Sequence, residues 1–309
     1  MRLTGVSRES RWTGLSVQTT LDNPSTRPGL RLPGRVTVAA GPDDVLVRHV
    51  RLGLVTTVEP DDPNAAKRLM QFHQVPIAGR FVVPAGRRRA VDFALPMPWE
   101  TPVTTFGGVP LLSLRMGLRT EVSVDPELDQ GAMVPVVVHP VPTQQYVLAT
   151  LATLGFQIRQ AGLQQGGLPG VEQTLPLHQR WGYWAAPLYA GPMTELEVIF
   201  VTNSAGLEVI LWVDRRLALA GITHQSISRF RIWHADADRR DWVATVDGWL
   251  RMAINRHAAA ASGADWSARV NESARVSRHP DEPVQPGFGL GGTAGSAGVG
   301  GGGSGGDGT

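Results

Sequence analysis

VDFALPMPWETPVTTFGGVPLLSLRMGLRTEVSVD, running from Val91 to Asp125, is the stretch whose pattern decides the fold. Leu112, Leu114, Met116, Leu118, Val122 and Val124 share one parity, and Ser113, Arg115, Arg119, Glu121 and Ser123 share the other. Successive side chains of a strand point to opposite faces, so this alternation predicts a half-buried strand, the longest of its domain. Leu95-Pro96-Met97-Pro98-Trp99-Glu100-Thr101-Pro102 leads into it. Prolines at that spacing bend a chain and cannot continue a ladder.

Working outward toward the N-terminus, the same signature repeats. Leu15, Val17, Thr19 and Leu21 alternate with polar neighbours, Asp22-Asn23-Pro24 and Arg27-Pro28-Gly29 turn the chain, and Leu32, Val36 and Val38 alternate again. Val45 to Val58 is long enough to cross a sheet, with Leu46, Val50, Leu52, Leu54 and Val58 opposing His49, Arg51 and Thr57. Phe81-Val82-Val83, Val91 to Leu95 and Val134 to Val138 supply shorter strands. Pro135 marks the last of these as an edge, because proline has no N–H to give a neighbour. Regularly spaced strands, Pro/Gly turns and almost no helical period predict an antiparallel β-sandwich over residues 1–140.

Beyond that point the period changes. Thr143-Gln144-Gln145-Tyr146 opens a short helix in which Val147, Leu151 and Leu154 recur at helical spacing, and Gly155 stands where a glycine stop belongs. Phe156 to Gln160 returns to alternation, and Glu195 to Val201, Asn203-Ser204-Ala205-Gly206 and Leu207 to Asp214 form a hairpin. A strand at Arg229 to Trp233 precedes a final helix from about Asp238 to His257, with Trp242, Val246, Trp249, Leu250 and Ala253 as its apolar stripe. The stripe predicts packing onto a second sheet domain spanning 141–258. Residues 259–309 end in a glycine-rich run whose only side chains larger than valine are Phe288 and Leu290, a composition expected of a disordered tail.

Composition narrows the function classes. The 309 residues contain no cysteine, so neither a disulfide framework nor a cysteine-based zinc site exists. No apolar run of about 18 residues spans a membrane, and the N-terminus carries no apolar signal core; a cytoplasmic protein is the expectation. Lys67 is the only lysine, so arginine carries the formal net charge of +2. The arginines are dispersed among 27 acidic residues rather than gathered on one face, which argues against a nucleic-acid partner. Arg87-Arg88-Arg89, placed in a turn after Pro84-Ala85-Gly86, is the densest basic run; a solvated loop is its simpler reading and a phosphate or lipid-headgroup contact the alternative.

Catalytic templates fit poorly. There is no phosphate-binding glycine loop ahead of Lys67, no G-x-S-x-G and no H-E-x-x-H. His234, Asp236 and Asp238 alternate, so on extended backbone their side chains could meet one cation; the simpler account is a loop in which Asp238 caps the final helix. Asp125, Glu127 and Asp129 follow a strand as an acidic turn. Trp181, Tyr183, Trp184 and Tyr189 cluster in a segment read as a loop, either as a ligand platform or as packing between the domains.

Taken together, LPMPWETPVT at Leu95 to Thr104, VDPELD at Val124 to Asp129, His139-Pro140 ahead of a helix ending in Leu154-Gly155-Phe156, ELEVIF from Glu195, and VDRR at Val213 to Arg216 resemble the SpoOM-type sporulation-control proteins. The resemblance covers roughly Gly14 to Asn255 and is specific in order and spacing rather than in any single motif. It implies two tandem arrestin-like β-sandwich domains, mainly β overall, with one short linking helix and one C-terminal helix before the glycine-rich tail. It also implies a non-enzymatic regulatory or scaffold role in sporulation through protein–protein interaction, with no catalytic residue, cofactor or metal. Two alternatives stand beside it: a metal-dependent hydrolase using His234, Asp236 and Asp238, and a peripheral membrane adaptor using Arg87, Arg88 and Arg89.

Overall fold

The computed structural model describes residues 4–6, 14–60, 66–124, 130–214 and 227–276. The chain divides into two compact units, Met1–Ala264 and Asp265–Thr309, and every described strand lies in the first. The first half of that unit contains β1 (Thr4–Val6), β2 (Ser16–Leu21), β3 (Ser25–Thr26), β4 (Arg31–Ala39), β5 (Val45–Val58), β6 (Arg68–Ala78), β7 (Phe81–Val83), β8 (Arg88–Pro96), β9 (Thr105–Phe106), β10 (Val109–Pro110), β11 (Met116–Val124) and β12 (Gln130–Val138). A four-stranded sheet in the order β1-β2-β4-β8 faces a six-stranded sheet in the order β3-β12-β11-β5-β6, with β7 pairing β5.

The inner faces are formed by the predicted alternation. Leu32, Val36 and Val38 of β4 and Leu118 and Val122 of β11 are completely buried. Between the sheets the hydroxyls of Thr19 and Thr120 hydrogen-bond to each other at 2.6 Å, so two buried polar groups satisfy one another inside an apolar layer.

The structure corrects the sequence pattern of this half in four respects. β11 begins at Met116, because Leu114 N bonds back to Leu111 O in a turn; Leu112 is 93 % exposed ahead of the strand. β5, with 14 residues, is the longest strand. Leu46 does not share the inward parity: Val47 and Val50 are both fully buried, and a register shift between Ser123 and Val124 of the partner strand absorbs the extra residue. β6 was not anticipated, since its own shifts opposite Val50/Arg51 and Leu54/Val55 erase any period of two. β12 behaves as an edge at Pro135: β11 runs along one side, while on the other it pairs β3 only at Val137 and Val138.

The second half contains α1 (Pro142–Thr153), β13 (Gln157–Gln165), β14 (Leu177–Trp184), β15 (Glu195–Thr202), β16 (Gly206–Val213), β17 (Ile227–Trp233), a 3₁₀ turn at His234–Arg239, and α2 (Trp242–Val276). The five strands form an antiparallel sheet in sequence order. α1 starts one residue before Thr143, with Pro142 in its first turn and Gln144 Oε1 accepting from Val141 N at 3.1 Å; it stops at Gly155, whose φ of 91° suits a residue without a Cβ.

α2 begins at Trp242 and not at Asp238. Asp241 Oδ1 accepts from Ala244 N at 3.0 Å, so Asp241 holds the capping role assigned to Asp238. The helix also runs to Val276, past the point where the sequence pattern predicts a tail; the glycine-rich run lies outside the described residues. Val246, Leu250 and Ala253 are buried as the stripe predicts, and Trp249 stacks on Phe230 of β17 with ring centroids 4.9 Å apart. The opposite face of the same sheet buries Ile199, Val201 and Ile210 with Leu168, Val171 and Ile227, so β15 is apolar on both sides. One continuous apolar core extends from β2 through β11 and α1 to α2.

Candidate functional site

The LPMPWETPVT segment, the end of β8 and the loop leading to β9, joins the two halves. Trp99 stacks against His234 with centroids 5.7 Å apart. Gly29 makes this possible: its φ is +78°, and a Cβ there would lie 2.5 Å from the indole. The Glu100 carboxylate accepts from Thr174 N at 2.8 and 2.9 Å and from Leu175 N at 2.8 Å, tying down the strand entering β14. Three residues on, Val103 N donates to Gln179 Oε1 at 2.8 Å, and Gln179 Nε2 donates to Val103 O at 2.9 Å. A buried side-chain amide thus completes a backbone ladder between halves.

A second joint centres on Glu59, just after β5. Its N–H donates to Leu163 O at 2.7 Å, while its carboxylate meets Lys67 Nζ at 3.0 Å and Arg180 Nη2 at 3.2 Å. Arg180 also lies 3.9 Å from Glu197. Gly162 lies directly beneath; a Cβ there would sit 2.9 Å from both carboxylate oxygens. Neither Glu59 nor Arg180 was singled out from sequence, because partners 121 positions apart leave no local spacing to detect.

The sequence-predicted candidates take structural roles. His234 Nδ1 lies 3.1 Å from Thr143 Oγ1 and Nε2 3.0 Å from Asn203 O, while Asp238 accepts from Tyr146 OH at 3.0 Å. Their backbone is a 3₁₀ turn and not extended, so the alternation that would aim His234, Asp236 and Asp238 at one point is lost. Among the described residues no group of three histidine or carboxylate side chains is arranged to hold a metal ion. Asp125, Glu127 and Asp129 lie outside the described residues.

Arg87 ends a turn, with its N–H on Pro84 O, whereas Arg88 and Arg89 belong to β8, and Arg89 lies over the Phe81 ring at 4.3 Å. The basic run is therefore divided between turn and strand. The aromatic cluster is on strand β14 and beyond it, not in a loop: Trp181, Tyr183 and Tyr189 are buried, and Trp181 meets Phe106 of the first half edge-on at 6.3 Å. Packing between the halves is its role, with Trp184 exposed beneath Arg159 at 5.4 Å. Burial raises the Tyr183 phenol above its usual range, and burial together with a 2.6 Å bond to Asp247 raises Tyr189 to about 12.

Adjoining the first joint at Thr104, the outer face of the six-stranded sheet carries a groove of about 590 Å³. Val55, Leu69, Gly117, Met133 and Pro135 form its apolar surface, and the β9–β10 hairpin closes one end through Thr105, Gly108 and Pro110. Leu69 and Met133 are 61 % and 58 % exposed. Gly117 keeps the floor low: a Cβ there would lie 2.8 Å from Met133 Cγ, so a larger residue would displace the methionine. Arg115 and His139 also line the groove. Period-two reading found Arg115 and Pro135 but could not gather residues of β5, β6, β11 and β12 on one surface.

Fold and groove together define a β-rich protein whose two halves are welded at their junction and whose first sandwich keeps an apolar face open. The family model described as SpoOM protein matches residues 12–217, so the chain belongs to the SpoOM family. Sporulation-control protein spo0M of Bacillus subtilis (strain 168) is 26 % identical over 202 residues, covering 65 % of this chain and 75 % of that protein. The crystal structure of Spo0M, sporulation control protein, from Bacillus subtilis superposes with a TM-score of 0.68 at 22 % identity, over 79 % of this chain and 99 % of that one. Family membership supports a sporulation-related role. Among the described residues no helix is long and apolar enough to cross a membrane.

Proposed function

We propose that this chain is a non-enzymatic regulatory or scaffold protein in sporulation control, acting in the cytoplasm through protein–protein contact. The outer groove carries this reading. Contiguous exposed apolar surface is costly to leave in water and marks contact sites on folded proteins, and a volume of about 590 Å³ lies within the range of occupied clefts. The junction supports it from the other side, since Glu100, Gln179, Glu59 and Arg180 are occupied in holding the halves together.

Deletion of the gene in its own host, followed by complementation, tests the proposal. Wild-type protein should restore spore counts, while the double variant Leu69→Asp, Met133→Asp should not, although both positions are exposed enough to leave the circular dichroism spectrum unchanged. Normal sporulation of the deletion strain, or full rescue by the double variant, would overturn it.

A further inference from the structure

We propose that the groove receives a peptide segment of a partner protein in which apolar side chains are flanked by acidic ones. This rests on the protein-contact reading above and adds the chemistry of the partner.

The charges around the groove give the chemistry of the ligand. No residue lining it is acidic, and its arginine, Arg115, is exposed and forms no ion pair among the described residues. Arg51 and Arg119 extend the cationic character along the same outer face: Arg119 is two residues beyond Gly117, about 7 Å at strand rise, and Arg51 pairs across the sheet with Glu121. Arg51 too is exposed and forms no ion pair among the described residues. Glu121 is the acidic residue in this row, and it is shared between Gln74 Nε2 at 2.9 Å and Arg119 at 3.5 Å. The apolar groove is therefore bordered by cationic residues on both sides, Arg115 before Gly117 along the chain and Arg119 and Arg51 beyond it, and a ligand of matching pattern carries anionic groups on either side of its apolar ones.

The shape suits a chain segment. Leu69 on β6 and Met133 on β12 stand three strand spacings apart across the sheet, about 14 Å, and are offset along it, since Leu69 pairs with Thr57 and Met133 with Arg119, itself opposite Gly53. The span is wide enough for an extended or helical peptide. Met133 has an unbranched, polarizable side chain and lies over a glycine, so it can shift to fit an incoming apolar group. At the closed end, Gly107 and Gly108 turn the hairpin with φ of 59° and 80° and nothing near their Cβ positions, so the hairpin tip stands clear of neighbouring groups.

Fluorescence anisotropy on the full chain tests this, using a short labelled peptide with leucine and phenylalanine flanked by aspartates, a second with lysines replacing the aspartates, and oleate as competitor. The acidic peptide should bind roughly tenfold more tightly than the lysine peptide, and Arg115→Glu should reverse that preference. Leu69→Asp and Met133→Asp, each at an exposed position, should abolish binding while leaving thermal unfolding unchanged. Equal binding of both peptides, sensitive to the groove variants, would overturn the acidic chemistry and leave the contact reading standing. Preference for oleate over either peptide would make the groove a lipid site and overturn the proposal. Peptide binding indifferent to both groove variants would overturn the proposal and the groove-based contact reading together.

Discussion

Gln179→Leu is the perturbation whose cost follows most directly from the structure. Gln179 and Val103 are 8 % and 1 % exposed, and their two reciprocal bonds are 2.8 and 2.9 Å long. Leucine keeps much of the volume but strands both the N–H and the C=O of Val103. At about 1–3 kcal/mol for each buried group left unsatisfied, the loss is roughly 2–6 kcal/mol, a large share of the ~5–15 kcal/mol that holds a typical protein together. With an m-value near ~3 kcal/mol/M, the urea midpoint should fall by about 0.7 M or more. Gln179→Glu sharpens the test. It still accepts from Val103 N but sets a carboxylate against Val103 O, so its cost should grow as pH rises and the buried acid ionises. Hydrogen exchange at the Val103 amide should accelerate in both variants, whereas Gln157→Leu, at an exposed end of β13, should change neither midpoint nor exchange. A Gln179→Leu protein with an unshifted midpoint and a protected Val103 amide would refute the claim that this amide joins the halves.

Three further outcomes follow from the same geometry. Gly162→Ala should cost about 1 kcal/mol by pushing the Glu59 carboxylate off Arg180, and that cost should vanish in a Glu59→Ala background, a coupling measurable by a double-mutant cycle. Asp214 has a φ of 48° and accepts from both Thr194 N and Glu195 N at 2.8 Å; Asp214→Ala should lose about 2–4 kcal/mol in urea unfolding, and Asp214→Asn, which tolerates that backbone and keeps an acceptor, less than half as much. All three tyrosines are raised: Tyr183 by burial, Tyr189 by burial and Asp247 to about 12, and Tyr146 by its bond to Asp238. A phenol whose folded pKa exceeds the unfolded value of ~10 contributes stability in full below that pH and loses it as pH climbs. Tyrosinate absorbance should therefore appear together with unfolding above pH ~10; a native protein titrating at the free-tyrosine value would contradict these environments.

Much of the fold was legible because it is local. Alternation at Leu32, Val36 and Val38, the turn chemistry of Asp22-Asn23-Pro24, the glycine stop at Gly155 and the paired runs around Asn203 to Gly206 each act within a few residues, so the sequence predicts β4, the end of α1 and the β15–β16 hairpin. β6 and β14 escaped because the first is broken by register shifts, and the second places polar Gln179 at an inward position and also buries Gly182 between Trp181 and Tyr183, which masks its apolar alternation.

Function-bearing surfaces depend on what comes together at long range. By its own pattern, LPMPWETPVT reads as a bend before a strand; that Trp99, Glu100 and Val103 grip His234, Thr174 and Gln179 emerges only when the second half is folded against the first. His234, Asp236 and Asp238 have the spacing of a cation site, but 3₁₀ backbone and competing hydrogen bonds turn them to other partners. Sequence determined the strands, the turns and the absence of cysteine chemistry, because backbone preference and side-chain period are carried by neighbours along the chain. Tertiary structure alone decided that Leu69, Arg115 and Met133, drawn from three separate segments, share one open groove, because strand pairing and register set which side chains meet on a sheet face.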